Sequence, residues 1–223
     1  MPDKHQEIIF QMLEKGFSQP RMSPYRAETE NIAQAIELYV WNSEITAEFW
    51  KLIGYTEVAL RNAISTQLAK RSNDPSYMWL FDSTVVNPSS EPFSKVQDAI
   101  ATLAKVGKAP SEDRLVAELN FGFWQHLISK RCRHLWPTIS RGFKGLKTRE
   151  PKRLSDSLQL LRLFRNRIAH HYKIWHLDLW SQYLNILEVL ELIDPALAVW
   201  VVQNEDILEL LGRQPNCQSL ARQ

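Results

Sequence analysis

Glycine and cysteine are both scarce in this chain. Seven of its 223 residues are glycine, which is few for the many tight turns that a sheet-rich fold requires. The two cysteines, Cys132 and Cys217, lie far apart and do not have the spacing of metal ligands. We interpret them as free thiols, which indicates a cytoplasmic protein.

The chain also lacks a strong excess of either charge. Its 27 basic and 25 acidic residues leave a formal net charge of +2. This balance excludes a protein whose whole surface attracts nucleic acid. Any such affinity must come from a local basic patch.

Long apolar runs are missing as well. Residues 1–10 include Asp3 and Glu7 and do not form the apolar stretch of a secretory signal. The most apolar tract, residues 186–202, is interrupted by acidic side chains and by Pro195. We predict a buried helical hairpin there and expect no contact with a membrane.

What the sequence does contain is a succession of helical patterns. Hydrophobic residues make up 44% of the chain, enough for one sizeable core. We predict one all-α domain over residues 1–211, with a long loop at 72–92, a basic loop at 137–151 and a disordered tail at 212–223. Helices are expected at residues 4–15, 24–41, 43–70, 93–106, 152–172, 177–192 and 195–211, with two short ones within 112–135.

The most informative segment covers residues 163–172, late in the helix that is predicted to begin at residue 152. It contains Arg165, Asn166, Arg167, His170, His171 and Tyr172. Arginine stays cationic at any working pH, and histidine can give or take a proton near neutrality. This pairing suits chemistry on a phosphodiester, because one residue type holds the anion and the other moves the proton.

Helical geometry divides this segment into two faces. One face carries the residues that are predicted to enter the core, namely Leu154, Ser157, Leu161, Phe164 and Ile168. Leu163, Asn166 and His170 share a second face. Because a helix side in water does not need an apolar leucine, we expect another helix or a second copy of the protein to cover this face.

Two arginines are candidates for the anion-binding role. Arg165 and His170 are five residues apart, which is about 140° around a straight helix. Arg165 must therefore reach around, lie where the helix ends or distorts, or meet His170 across a two-fold axis. Arg167 lies three residues before His170 and is an equally well placed partner.

The arginine, polar residue, spacer and histidine of this segment resemble the signature of the HEPN superfamily. Three blocks in order resemble its Abi-like (abortive infection) branch: EVALRN at 57–62, FGFW at 121–124 and LFRNRIAHH at 163–171. The elements YVWN at 39–42 and FW at 49–50 also fit. The resemblance covers roughly residues 20–200.

The resemblance implies an all-α, HEPN-like helical bundle with extra helices, and a homodimer with a composite site. It also implies an endoribonuclease that cleaves single-stranded RNA and needs no metal or other cofactor, in phage defence or toxin-like growth arrest. His170 would act as general acid or base when a ribose 2′-hydroxyl attacks its own phosphate. Arg165 would stabilise the charge on the phosphate oxygens, and Asn166 would orient His170 or hold the phosphate.

Other residues near these blocks are candidates for supporting roles. Glu57 and Arg61 either form a simple salt bridge within their helix or, with Asn62, anchor the motif helix. Arg167 is the alternative cation. His171 is predicted to lie closer to the core face than His170 and to have a structural or supporting role.

Tyr172 stands two residues after His170, where some HEPN toxins carry a tyrosine that a partner nucleotidyltransferase modifies. The resemblance therefore implies an antitoxin or nucleotidyltransferase as a partner. Tyr172 is also only about 40° from Ile168 around the helix, which suits a plain core residue.

A basic segment, residues 130–153, leads directly into the motif helix. We predict contacts with an RNA backbone at Lys144, Lys147, Arg149, Lys152 and Arg153. The interleaved Trp136, Phe143 and His134 are candidates for stacking on unpaired bases. The plainer interpretation of such a charge run is a solvated face.

Plainer interpretations also exist for the motif itself. His170 suits a histidine that ends a helix, because a cation is favourable near the C-terminal dipole. The aromatic residues of the FGFW block are expected in the core. The alternative function is a catalytically inactive HEPN-like module that binds RNA or a partner protein.

Overall fold

The structure is a computed structural model that describes residues 4–71, 78–87, 90–147 and 150–216. Within these ranges the chain forms helices and turns and no strand, so the predicted all-α class is confirmed. Every helix in the same ranges is either too short or too polar to span a membrane.

Eleven α-helices lie in the described part of the chain. The first six are α1 (Lys4–Phe17), α2 (Gln19–Ala27), α3 (Ile32–Ala69), α4 (Glu91–Lys105), α5 (Glu112–Glu118) and α6 (Phe121–Ile128). The others are α7 (Trp136–Ile139), α8 (Lys152–Ala169), α9 (Leu179–Ile193), α10 (Pro195–Val202) and α11 (Ile207–Gly212). Short 3₁₀ segments occur at Trp79–Phe81, Lys130–Leu135 and Ser140–Gly142.

Helix α3 runs for 38 residues through the break that the sequence predicts at Ser43. The Ser43 hydroxyl donates to the backbone carbonyl of Tyr39, four residues earlier, at 3.0 Å. A serine that is satisfied within its own helix does not cap a new one. The predicted separation of helices 24–41 and 43–70 is therefore wrong.

The predicted helix bounds are wrong at other places as well. Helix α2 begins at Gln19 with Pro20 in its first turn, and Pro24, the predicted start, lies inside it. It ends at Ala27 and α3 begins at Ile32, so the predicted helix 24–41 is interrupted. The predicted helix 195–211 is two helices, because the chain turns between Val202 and Ile207. The backbone N–H of Asp206 in that turn donates to Glu48 at 2.9 Å.

The predicted basic loop is partly helical. Residues from Trp136 to Gly142 form α7 and a 3₁₀ turn, so a loop beginning at 137 is wrong. The next residues dock on the end of α9, where the Gly145 N–H donates to the Leu192 carbonyl at 3.1 Å. A Cβ at Gly145 would collide with the Glu191 backbone, so only glycine allows this approach.

Other predicted features fall partly outside the described residues. Of the loop at 72–92, residues 72–77 and 88–89 lie outside, while Trp79–Phe81 forms a turn with Trp79 buried. Of the tail at 212–223, residues 217–223 lie outside, Cys217 among them. Gln214 donates to the Trp175 carbonyl at 3.2 Å. Cys132 is a free, buried thiol.

The α5–α6 region folds as predicted. Its two short helices flank Asn120, whose side chain caps α6 by accepting the Phe123 N–H at 3.2 Å. Phe121, Phe123 and Trp124 are buried, which confirms the expected core position of the FGFW aromatics. Phe123 and Trp124 pack edge to face at 5.1 Å between ring centroids.

The chain divides into two compact units. The first contains the chain up to Leu52, Arg165–Tyr183 and the chain from Asn204 onward. The second contains Ile53–Phe164 and Leu184–Gln203. Helices α3, α8 and α9 each contribute residues to both units, and residues 165–172 of the motif belong to the first.

Candidate functional site

The predicted core face of α8 is confirmed. All five of its residues are buried: Leu154, Ser157, Leu161, Phe164 and Ile168. The Ser157 hydroxyl donates to Glu188 at 3.1 Å, so the polar member of this face has a partner. Asn166 and His170 of the motif therefore lie on the side of α8 that faces away from the core.

The second face of α8 lies open in the single chain. Leu163 and Leu160 are each 54% exposed, and Asn166 and His170 are exposed one turn apart. Large apolar side chains next to polar ones on an open helix face are typical of a surface that another molecule covers. No helix of the described residues covers this face, so the alternative of a covering helix is not supported. Cover by a second copy of the protein stays a prediction.

Helix α8 ends in a Schellman motif built on His171. The backbone N–H of His171 donates to Ile168 and that of Tyr172 donates to Arg167, both at 2.9 Å. His171 has a φ of 55°, in the left-handed region that few residues other than glycine adopt. His170 is therefore the last residue before the chain reverses.

This helix end corrects two predictions about burial. His171 is exposed rather than near the core face, and Tyr172 is 57% exposed rather than a core residue. Both predictions continued the helical periodicity past residue 169, where α8 ends. The Tyr172 ring lies 6.0 Å from the His170 ring, centroid to centroid.

Arg165 points toward α3. Its guanidinium carbon lies 5.4 Å from the centroid of the Trp50 ring, a cation–π arrangement. Its Nε is buried and has no hydrogen-bond partner, and no carboxylate of the described residues forms a salt bridge with it. Arg165 is thus half-buried with its charge not neutralised by an acid, whereas Arg167 is exposed.

The end of α8 is a region of positive charge. Burial, followed by the nearby charges of Lys173 and Arg167, lowers the pKa of His176, against a smaller opposing effect of Glu28. Lys173 itself lies over the Trp175 ring, with its Nζ 4.9 Å from the centroid. An anion near His170 would therefore meet a favourable field.

A cleft of about 580 Å³ lies beside the motif, within the first unit. Its wall is formed by Arg21 of α2, by one face of α3 that includes Ser43 and Trp50, and by the end of α8 with His171 and Tyr172. The cleft therefore places Trp50, Tyr172 and the Arg21 cation next to Ala169 and His171, the residues that flank His170.

The YVWN element fixes the geometry of this unit. The Trp41 indole donates to the Leu210 carbonyl of α11 at 2.8 Å. The Asn42 side chain is buried and accepts the Ile174 N–H, just after α8, at 2.9 Å. These two bonds connect α3 to α11 and to the segment that follows α8. They therefore help to hold the end of α8 beside Trp50.

Comparison with protein families identifies the chain. The family model described as Abi-like protein matches residues 9–176, a range that includes the whole of residues 163–172. The chain belongs to the Abi-like protein family. This confirms the resemblance of the three sequence blocks and associates the chain with abortive infection, a form of phage defence. Searches of curated proteins and of solved structures found no match.

The EVALRN block of this Abi-like chain lies in the second unit. Arg61 and Asn62 line a groove of about 670 Å³ with Glu112 and Asp113 of α5, and Arg61 Nε is buried with no hydrogen-bond partner. Glu57 is half-buried. Their role as anchors of the motif helix stays a prediction.

Two cations of the basic segment have acidic partners. Lys144 forms an ion pair with Asp194 at 2.6 Å, and Arg153 forms one with Glu188. Lys147 and Lys152 are exposed, and Arg149 lies outside the described residues. RNA contacts at this segment remain a prediction.

The aromatic residues of the basic segment do not serve as stacking platforms. Trp136 and Phe143 are buried against each other, with ring centroids 6.1 Å apart. Their predicted stacking on bases is therefore wrong. His134 is exposed, and its Nε2 lies 3.1 Å from the Thr84 carbonyl oxygen.

Trp50 and the cleft are the features that sequence reasoning missed. Thr46 and Ala47 follow Ser43 by three and four residues along α3, and Trp50 follows them by four and three. These residues therefore share one face. A face of small and polar residues with a single tryptophan is a signal that it borders open space.

Among the residues that the structure describes, no group of three or more His, Cys, Asp or Glu side chains is placed to hold a metal ion.

Proposed function

We propose that this Abi-like protein is an endoribonuclease that cleaves single-stranded RNA without a metal and acts in phage defence or as a toxin. The observation that carries the proposal is the state of Arg165. Its guanidinium is held over Trp50 with no acidic partner among the described residues, five residues before the exposed His170. An unneutralised arginine and an accessible imidazole supply anion binding and proton transfer.

The reaction that these groups suit is internal transesterification. A histidine takes the proton of the ribose 2′-hydroxyl, and the 2′-oxygen forms a bond to phosphorus. The bond from phosphorus to the 5′-oxygen breaks, and that oxygen receives a proton from a general acid. The products are a 2′,3′-cyclic phosphate and a 5′-hydroxyl, and DNA is not cleaved because it lacks the attacking group.

Each side chain of the motif has a role in this scheme. Arg165 stabilises the charge that builds on the phosphate oxygens in the transition state. Asn166 lies one turn before His170 on the same exposed face and orients it or donates its amide to the phosphate. The positive field at the end of α8 favours binding of the anion.

The exposed leucines favour a composite site in a homodimer. Leu160 and Leu163 are each 54% exposed and lie on the α8 side that carries Asn166 and His170. Burying them against the same face of a second chain would bring two His170 side chains toward each other. One histidine would then act as base and the other as acid.

Tyr172 supports regulation by a partner. Its side chain is 57% exposed and lies next to the His170 ring, so a modifying enzyme can reach it. A nucleotidyl group on Tyr172 would add bulk and negative charge beside the site. Such a modification would silence a toxin until its partner antitoxin or nucleotidyltransferase is lost.

The proposal is tested by His170→Ala in the full chain. Single-stranded RNA is incubated with purified protein in EDTA, and products are analysed for cyclic phosphate ends. We expect wild-type protein to cleave, and His170→Ala to lose at least about 100-fold in rate, the usual contribution of a general acid or base. His5→Ala, which removes an exposed histidine on α1, is the matched control and should cleave like wild type.

Two results would count against the proposal. Cleavage that survives in folded His170→Ala, as judged by circular dichroism and gel filtration, would remove His170 from the chemistry. RNA that is retained on a gel but never cut by wild-type protein would instead favour the inactive binding module.

A further inference from the structure

We infer that the cleft beside the motif binds an unpaired nucleobase of the RNA, next to the phosphate that is cleaved. This inference rests on the proposed action on RNA. It assigns a binding site to four residues outside the motif, namely Arg21, Ser43, Thr46 and Trp50, together with Tyr172 at the end of the motif.

The size and walls of the cleft suit a flat aromatic ligand. Its volume of about 580 Å³ falls in the range of small-molecule sites. Trp50 and Tyr172 line it and are 46% and 57% exposed, so both rings present surface to a ligand. Aromatic side chains of this kind bind unpaired bases by stacking, with little dependence on base identity.

The charge of the cleft complements a nucleotide. Arg21 lines it, and no acidic residue is among the described residues of its wall. The Arg165 guanidinium lies over the Trp50 ring. A base that stacks in the cleft would therefore keep its phosphate among cations, where binding of the backbone is favourable.

Two hydroxyls give the cleft hydrogen-bond acceptors. Ser43 donates to the Tyr39 carbonyl and Thr46 donates to the Asn42 carbonyl, both within α3. Because each hydroxyl hydrogen is already used, the oxygen lone pairs remain to accept from a ligand. Ring and exocyclic N–H groups of nucleobases can donate to them.

The position of the cleft relates it to the cleaved phosphate. Ala169 and His171, the residues on either side of His170, both line it. The left-handed backbone at His171 places the Tyr172 ring 6.0 Å from the His170 ring. A base between Trp50 and Tyr172 would therefore lie close to a phosphate at His170.

Binding is tested with nucleoside 5′-monophosphates and with ribose 5-phosphate, which has the sugar and phosphate but no base. Saturation-transfer NMR and calorimetry should show that the nucleotides bind wild-type protein at least tenfold more tightly than ribose 5-phosphate. Ala47→Trp fills the cleft and should raise the nucleotide Kd at least tenfold. Ala33→Trp, an exposed alanine of α3 outside the cleft, is the matched control and should bind like wild type.

A second pair of variants tests the same site if Ala47→Trp does not fold. Tyr172→Ala removes one stacking wall, whereas Tyr172→Phe keeps it, so only the first should weaken nucleotide binding. Equal binding of nucleotide and ribose 5-phosphate by wild-type protein would overturn the inference, and so would unchanged nucleotide binding by Ala47→Trp.

Cleavage separates this inference from the proposed function. If wild-type protein binds nucleotides in the cleft but cuts no RNA, the proposed nuclease fails and the binding site stands. If RNA is cut equally by Ala47→Trp and Ala33→Trp, the nuclease stands and the base site is overturned. At RNA concentrations well below KM, an RNA with an abasic residue beside its cleaved phosphate should be cut at least tenfold more slowly than the intact RNA. The cause should be a higher KM, with kcat unchanged.

Discussion

The contact of Arg165 with Trp50 distinguishes the two arginines that could hold an anion in the proposed nuclease. Arg167 extends into solvent, where its charge is hydrated. Arg165 is half-buried on an aromatic face, which removes part of its hydration without neutralising it. A partly desolvated guanidinium interacts more strongly with a phosphate than a hydrated one does.

Trp50 should therefore affect catalysis through Arg165. We predict that Trp50→Ala lowers kcat about five- to thirty-fold, the equivalent of a cation–π interaction of about 1–2 kcal/mol. Trp50→Phe keeps an aromatic face and should lose less. The rate is measured with saturating RNA, so that loss of base binding affects it little.

A double-mutant cycle checks the mechanism of that loss. In an Arg165→Lys background, Trp50→Ala should have a smaller effect than in wild type, because the partner of the ring has changed. Effects that simply add would show that Trp50 acts independently of Arg165.

The sequence identified the motif residues but not their directions. Arg165, Asn166 and His170 are recognisable from residue type and spacing alone. Contact between Arg165 and Trp50 joins positions 115 residues apart on two helices, and no local periodicity encodes such a contact. His171 and Tyr172 were misplaced because an increment of 100° per residue has no meaning beyond the end of a helix.

Individual helices were predictable where their apolar pattern is one-sided. The core face of α8 was predicted residue by residue, because a helix that packs on one side must repeat its apolar residues at that period. The continuity of α3 was missed because Ser43 can either cap a helix or bond back into one. Only the neighbouring elements decide between these options.

The open face of α8 supports a prediction about assembly. Leu163→Asp places a charge where the proposed dimer buries a leucine, and burial of that side chain contributes about 1.5–3 kcal/mol. We expect light scattering to show a dimer for wild type and a monomer for Leu163→Asp, with RNA cleavage reduced at least tenfold.

The matched control for this variant is Leu208→Asp. Leu208 is an exposed leucine of α11, 51% accessible and thus similar to Leu163. It should leave both the dimer and the activity unchanged. If Leu163→Asp remains dimeric and active, the composite site is wrong.

For the whole molecule, a single domain is the sequence prediction, and two compact units are the structural description. No composition change marks a boundary because three helices contribute to both units. The count of charged residues along the basic segment likewise does not predict which of its cations have acidic partners. Lys144 and Arg153 have acidic partners about 35–50 residues away in sequence, which a local charge count does not detect.

Stability at high pH should depend on Tyr25. This residue is buried in the first unit against Tyr39 and Trp175, and its burial raises its pKa to about 12 from 10. The unfolded chain thus loses the proton more readily than the folded chain. The stabilisation is complete below pH 10 and is lost as the pH rises toward 12.

We predict that the free energy of unfolding falls between pH 10 and 12 by on the order of 2 kcal/mol through this group. In Tyr25→Phe, which has no proton to lose, the decrease should be smaller by that amount. Urea denaturation followed at pH 8, 10 and 11.5 measures the difference. The same decrease in both proteins would contradict the role of Tyr25.

The placement of Arg165 over Trp50 also has an entropic consequence. A free arginine side chain carries about 2 kcal/mol of rotamer entropy at room temperature. Where the ring already holds the guanidinium, much of that freedom is lost when the chain folds. In the proposed nuclease, a phosphate would then meet a side chain that is ordered in advance, and the ordering cost of the complex would be correspondingly lower.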